Sequence, residues 1–264
     1  MKKAALLSAL LAMVTTGAMA KDWTEIRMAA EGAYPPFNAT NADGSMRGLD
    51  IDIGNALCEQ MKAKCTWVRQ EWDGVIPALI TRKFDVIMSS MTITDERRKK
   101  VDFTNKYYSS PLALVAKENS SITPDDVGTL KGKKIGVYRG TVGDTFATQF
   151  WGDKGVEVVR YAKMEEVYID LKVGRLDGSL SDYWETYGSF LTTPDGKGYR
   201  YVGGLMYGKT ADEKSVIGEG IGIAVRKKDQ DLKEALNRAL AAIRANGNYD
   251  QIRKKYFTVD IYGN

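Results

Sequence analysis

FDVIMSSMTITDERRKK, residues 84–100, carries the reading of this chain. Its first five residues form a short apolar run of the kind that makes a buried strand. The run passes straight into Ser89 and Ser90, then Thr92 and Thr94, and Thr94-Asp95 opens a helix with Thr94 as its N-cap. A strand end, four hydroxyls, the free N–H groups of a helix start and a cluster of cations therefore fall together. That combination suits an anion pocket, with Arg97 offering a planar guanidinium fork beside the helix N-terminus. The alternative for Arg97 is a solvated surface charge, which is how Arg98, Lys99 and Lys100 are read.

Outward from this stretch, strand and helix patterns alternate. TEIRMAAE reads as a strand, and GAYPPFNATNADGS as a loop dense in turn residues. LDIDIGNALCEQMKAK reads as a helix with Asp50 near its start, CTWVRQ as a strand, and VIPALITRK as a helix with Pro77 in its first turn. The pattern then restarts. PLALVAKE and KKIGVYRG are strands, TVGDTFATQFW a helix, EVVRYAK a strand, MEEVYIDLKVGR a helix, and LDGSLSDY a strand ending at Asp182. EGIGIAVRK closes as a strand before two amphipathic helices, with Asn246-Gly247 as the cap between them. Repeated β-α-β units predict mostly parallel sheets covered by helices. A middle block interrupting a first block that the C-terminus completes predicts two lobes and a cleft. Ligands of open α/β sheets collect at the carboxyl ends of strands, where Ser89-Ser90, Gly140-Thr141 and Asp182 all fall.

The other candidates each keep two readings. Asp182 is either an acceptor for an ammonium or a helix N-cap. Tyr34 and Trp72, in GAYPPF and QEWDG, either sandwich an aliphatic or cationic chain or pack the lobes together. Glu31 and Asp50 are acids beside this region. Gly136-x-x-x-Gly140-Thr141 lacks the endings of a P-loop and of a dinucleotide fingerprint, and reads as a tight turn opening a helix toward an anion. No cofactor is expected.

Composition excludes several function classes. Lys2 and Lys3, the apolar run of residues 4–14 and Ala18-Met19-Ala20 make a secretory leader cleaved after Ala20. The run is apolar on every face, which argues against an amphipathic first helix, and no lipobox cysteine points to an anchor. The 38 Lys and Arg become 36 after cleavage, against 34 acids, a balance that gives no support to nucleic-acid binding. The chain has no histidine, which excludes Ser-His-Asp and Cys-His nucleophile systems and the usual zinc sites; no metal is expected. Cys58 and Cys65 form a small disulfide loop in an oxidising compartment or stay as free buried thiols.

Together AYPPF, GLDIDIGNALC, CTWV, DGVIPAL, SSMTITDERR with VDFT, LKGKKIGVYRGT, GRLDGSLSD and YDQIRKKYF resemble the periplasmic solute-binding proteins of amino-acid ABC transporters, family 3, most of all the lysine/arginine/ornithine-binding kind. The resemblance implies a type II two-lobed α/β fold with two hinge crossings: leader 1–20, first lobe 21–111 and 207–264, second lobe 112–206. It implies a monomeric periplasmic receptor that delivers an amino acid to a membrane permease. In matching positions, Arg97, Thr92 and the turn at Thr141 and Val142 would hold the α-carboxylate. Asp182, Ser90 and Thr92 would hold the ammonium, and Tyr34 and Trp72 would sandwich the side chain. Glu31 and Ser89 would meet its far end, supported by Asp50. Basic-amino-acid members often carry Asp and Phe where this chain has Glu31 and Trp72. The larger pair suits arginine over lysine, or an opine derived from arginine or ornithine. Val142 stands where threonine is frequent, and GLMYGKTADEKSV is longer than usual, with no role assigned. Two other functions compete: a secreted cyclohexadienyl or arogenate dehydratase on the same fold, with Glu31 as acid, and a ligand-binding partner of a sensory receptor.

Overall fold

The computed structural model describes residues 23–263. The leader predicted at residues 1–20 lies outside them. The chain opens with strand β1 (Glu25–Ala30), followed by a small antiparallel sheet of β2 (Ala33–Tyr34), β3 (Asn38–Thr40) and β4 (Met46–Arg47). Helix α1 (Leu49–Met61) buries Ile53 and Leu57, and a disulfide ties its Cys58 to Cys65 of β5 (Lys64–Arg69). Then come α2 (Val75–Ile80), β6 (Val86–Ile87), α3 (Asp95–Arg98) and β7 (Asp102–Phe103).

After a first crossing the chain builds β8 (Leu112–Lys117), β9 (Lys134–Tyr138), α4 (Val142–Trp151), β10 (Glu157–Tyr161) and α5 (Met164–Lys172). It continues through β11 (Gly178–Asp182), α6 (Tyr183–Thr186) and β12 (Tyr199–Met206). Helix α7 (Ala211–Ile217) leads back to β13 (Ala224–Val225), α8 (Gln230–Ala245) and α9 (Asn248–Lys254).

Two five-stranded sheets result, ordered β5-β1-β6-β13-β7 and β10-β9-β11-β8-β12. Each anchors a lobe. In the first, Met28, Val86, Ile53, Leu57, Leu236 and Leu240 pack together, and in the second Leu114, Ile135, Val137, Phe146, Trp151 and Leu180 do so. The crossings run side by side, for Tyr107 N–H donates to Ile221 O and Ile221 N–H to Tyr108 O, both at 2.8 Å.

The expectation of mostly parallel sheets is corrected. Strands β1, β5 and β6 are parallel, as are β9, β10 and β11, but β13 runs against β6 and β7, and β8 against β11 and β12. Parallel neighbours need a crossover connection. Strand β8 enters straight from a crossing and β13 follows one, so neither needs the parallel direction. The strand predicted over FDVIMSS keeps ladder pairing only at Val86–Ile87, because the chain turns at Ser90, whose φ is 53°. Among the described residues no helix is long and apolar enough to cross a membrane.

Candidate functional site

Side chains at the carboxyl ends of the parallel strands face one another across the lobes. Beyond β1 stands Glu31, beyond β6 stand Ser89, Ser90 and Thr92, Tyr138 ends β9 and Asp182 ends β11. With Tyr34, Trp72, Arg97, Thr141 and Val142 they line a single cavity between the lobes.

The first lobe supplies one wall. The Thr94 hydroxyl accepts from Arg97 N–H at 3.2 Å and fixes the short helix that carries Arg97. The guanidinium then reaches back, Nη1 donating to Thr92 O at 2.9 Å and Nη2 to Gly140 O of the other lobe at 3.3 Å. It lies 5.2 Å from the centre of the Trp72 ring. The second lobe supplies the other wall through α4. Gly140 adopts φ 73°, a left-handed turn, and Thr141 caps the helix. A Cβ on Gly143 would stand 2.8 Å from Leu180 O, so glycine lets the helix start abut β11. The Asp144 N–H donates to the capping Thr141 hydroxyl at 3.4 Å, and Thr141 and Val142 at the start of α4 line the cavity with Arg97.

Asp182 is opposite. Tyr34 donates to its Oδ2 at 2.7 Å across the lobe boundary. Burial pushes the Asp182 carboxyl up to about 6, against the lowering effects of the Tyr34 hydroxyl and the Arg97 charge. Burial acts on Arg97 the other way and brings it down to about 10, with Asp182 and Tyr34 opposing. At the far end Glu31, 3% exposed, is raised by burial and held back by the Tyr138 hydroxyl. Tyr138 donates to Glu31 Oε1 at 2.6 Å, and Glu31 N–H donates to Ser89 Oγ at 3.0 Å. On the rim, Arg139 of one lobe pairs with Asp73 of the other.

The structure brings ten of the eleven expected site residues to this cavity. The eleventh, Asp50, sits one layer behind, fully buried, accepting from Ser90 Oγ at 2.9 Å, Asn38 Nδ2 at 2.8 Å and Tyr107 O–H at 2.7 Å. It fixes Ser90 without lining the cavity. Sequence reasoning missed Tyr138, although its place as the last residue of a strand before Arg139-Gly140-Thr141 matches that of Asp182 in its own strand. It also missed Glu185, which is buried behind Asp182 and receives Tyr168 O–H at 2.7 Å and Ser181 O–H at 3.2 Å as well as the Ser189 hydroxyl. Burial pushes the Glu185 carboxyl up to about 7. Among the described residues no group of three or more metal-ligating side chains occurs.

Chemically, the cavity presents a cation and helix N–H groups at one place, a carboxylate facing them, and a second carboxylate at the far end between aromatic walls. Two α/β lobes with such a polar cleft at their strand ends define a solute-binding protein of the type II fold. The chain belongs to the bacterial extracellular solute-binding proteins, family 3, whose pattern matches residues 26–259. It is 50% identical over 264 residues to the L-arginine-binding protein of Pseudomonas aeruginosa, covering 100% of this chain and 99% of that one. The histidine-binding periplasmic protein of Salmonella typhimurium is 42% identical over 265 residues, with 100% of both chains covered. Among solved structures, an ancestral arginine-binding protein bound to arginine superposes with a TM-score of 0.78 at 33% identity, covering 89% of this chain and 98% of the other.

Proposed function

We propose that this protein captures a basic amino acid, arginine first, and hands it to the membrane permease of an ABC transporter. The observation that carries the reading is the single cavity that holds Arg97, Asp182 and Glu31 at separate points. A zwitterion with a distal cation places one charge against each. Burying a charge without a partner costs several kcal/mol, so three fixed charges of these signs favour that ligand and reject one lacking the distal cation.

In this reading Arg97 and the N–H groups at Thr141 and Val142 take the α-carboxylate. Asp182 takes the ammonium, with Thr92 and Ser90 adding hydroxyl contacts. Tyr34 and Trp72 flank the aliphatic stem, Glu31 and Ser89 meet the distal group, and Asp50 acts through Ser90. Relatives named for arginine and for histidine fit a cationic or planar side chain at the Glu31 end. The protein works as a periplasmic monomer released from its leader after Ala20. The lobe boundaries fall near 111/112 and 206/207, with α7 resting on α3 and α4 from opposite lobes.

The test is a thermal-shift panel on refolded mature protein with arginine, ornithine, lysine, histidine, glutamine, octopine and prephenate. Saturation at about a thousand times Kd stabilises by roughly 4 kcal/mol. Shifts confined to the cationic compounds support the reading, and a shift with prephenate accompanied by its loss of water would replace it with the dehydratase.

A further inference from the structure

Glu31 and Tyr138 meet from opposite lobes, and both are nearly inaccessible, 3% and 4% exposed. The Tyr138 hydroxyl occupies one lone-pair site on Glu31 Oε1 at 2.6 Å. Glu31 is held in place from its backbone by Ser89. Among the described residues no donor reaches Glu31 Oε2. Because Tyr138 gives its proton to Glu31, its phenol oxygen is left able to accept. The far end of the cavity thus presents two separated acceptors, Glu31 Oε2 and the Tyr138 oxygen, with the Trp72 ring beside them at 6.4 Å between ring centres.

A guanidinium matches that arrangement in a way an ammonium does not. Its five N–H groups lie in one rigid plane, so two of them can reach separate acceptors while its face rests on an aromatic ring. Trp72 already has a cation over its ring, the Arg97 guanidinium carbon lying 5.2 Å from the ring centre. An ammonium is a compact, strongly hydrated charge with no face to stack, and its three donors diverge from one atom instead of spreading across a rigid plane.

We propose that Tyr138 is a specificity-determining residue that turns the Glu31 end of the cleft toward a guanidinium and away from a primary ammonium. The inference rests on the reading of the cavity as an amino-acid site and refines it. Since Tyr138 belongs to the second lobe, this selectivity exists only in the closed cleft. An aliphatic residue at this place would leave Glu31 as a bare carboxylate, to which either cation is suited.

Isothermal titration of the refolded protein and of Tyr138→Phe with arginine, ornithine and glutamine tests this. The wild-type protein is expected to prefer arginine to ornithine by about tenfold or more, the scale of one hydrogen bond to a charged group. In Tyr138→Phe the arginine affinity falls about tenfold while ornithine and glutamine change by less than about threefold. Equal loss for all three ligands would mean that Tyr138 serves closure alone, and no loss would mean it serves neither; both overturn the assignment. Ornithine binding as tightly as arginine to the wild-type protein overturns it without any variant. If the wild-type protein takes none of the three, the amino-acid reading itself fails, an outcome distinct from a variant that binds arginine as the wild type does.

Discussion

Asp182 makes the sharpest prediction, because its burial has a consequence for binding that pH reveals. Its carboxyl titrates at about 6 in the cleft. The ligand ammonium needs the ionised form, which is present above that value and is lost as pH falls through it. The ionised fraction drops from about nine-tenths near pH 7 to about one-tenth near pH 5, so arginine should bind about tenfold more weakly at the lower pH. Glu31, raised in the same direction by burial, steepens the fall for a cationic ligand. Calorimetry in two buffers of different ionisation heat should show about half a proton released per ligand bound near pH 6. Asp182→Asn keeps an oxygen for the Tyr34 hydroxyl but removes the charge. Removing one partner of a buried charge pair costs about 2 kcal/mol or more, at least about thirtyfold in Kd, for every amino acid. The variant should also lose the share of the proton release that Asp182 supplies. Wild-type affinity that is the same near pH 5 and pH 7, or an Asp182→Asn protein within about threefold of wild type, would refute this account of the ammonium site.

Further outcomes follow from other residues. Glu31→Gln should weaken arginine and ornithine by more than about tenfold and leave glutamine nearly unchanged in the same titrations; equal loss for glutamine would contradict its place at the distal cation. Replacing Cys58 and Cys65 by Ser should lower unfolding free energy in denaturant by roughly 2–3 kcal/mol without changing Kd, since neither lines the cavity. Glu185 is raised from 4.5 to about 7 in the folded protein. Its protonated form is therefore the one the fold favours, and its contribution to stability declines as pH rises through that interval. Glu185→Gln should melt higher than wild type above about pH 7 and converge with it near pH 4; a difference of the opposite sign would contradict the buried-carboxyl reading.

Much of this arrangement was legible because the elements that carry it are local. Thr94 before Asp95 marks a helix start without tertiary information, and the apolar run before Ser89 marks a strand end, so the position of Arg97 beside the hydroxyls follows from spacing. The β-α alternation likewise marks the parallel strands. What escaped depends on contacts far apart in the chain. The antiparallel strands β8 and β13 follow from where the chain crosses between lobes, a feature with no periodicity of its own. Strand β12 slips register between Val202 and Met206, across Gly203-Gly204, which breaks the alternation that would announce it. Tyr138 reads as an ordinary strand aromatic until the fold sets it 107 positions from its partner Glu31. The same holds for Asp50, whose three donors come from Asn38, Ser90 and Tyr107, and whose burial one layer behind the cavity is invisible in sequence.

The most direct test of the central claim is a crystal structure of the mature protein grown with arginine. The account predicts arginine closed between the lobes, its carboxylate on Arg97 and the start of α4, its ammonium on Asp182, and its guanidinium between Glu31, Tyr138 and Trp72. Arginine bound in the reverse direction, or bound elsewhere while this cavity stays free of it, would contradict the account.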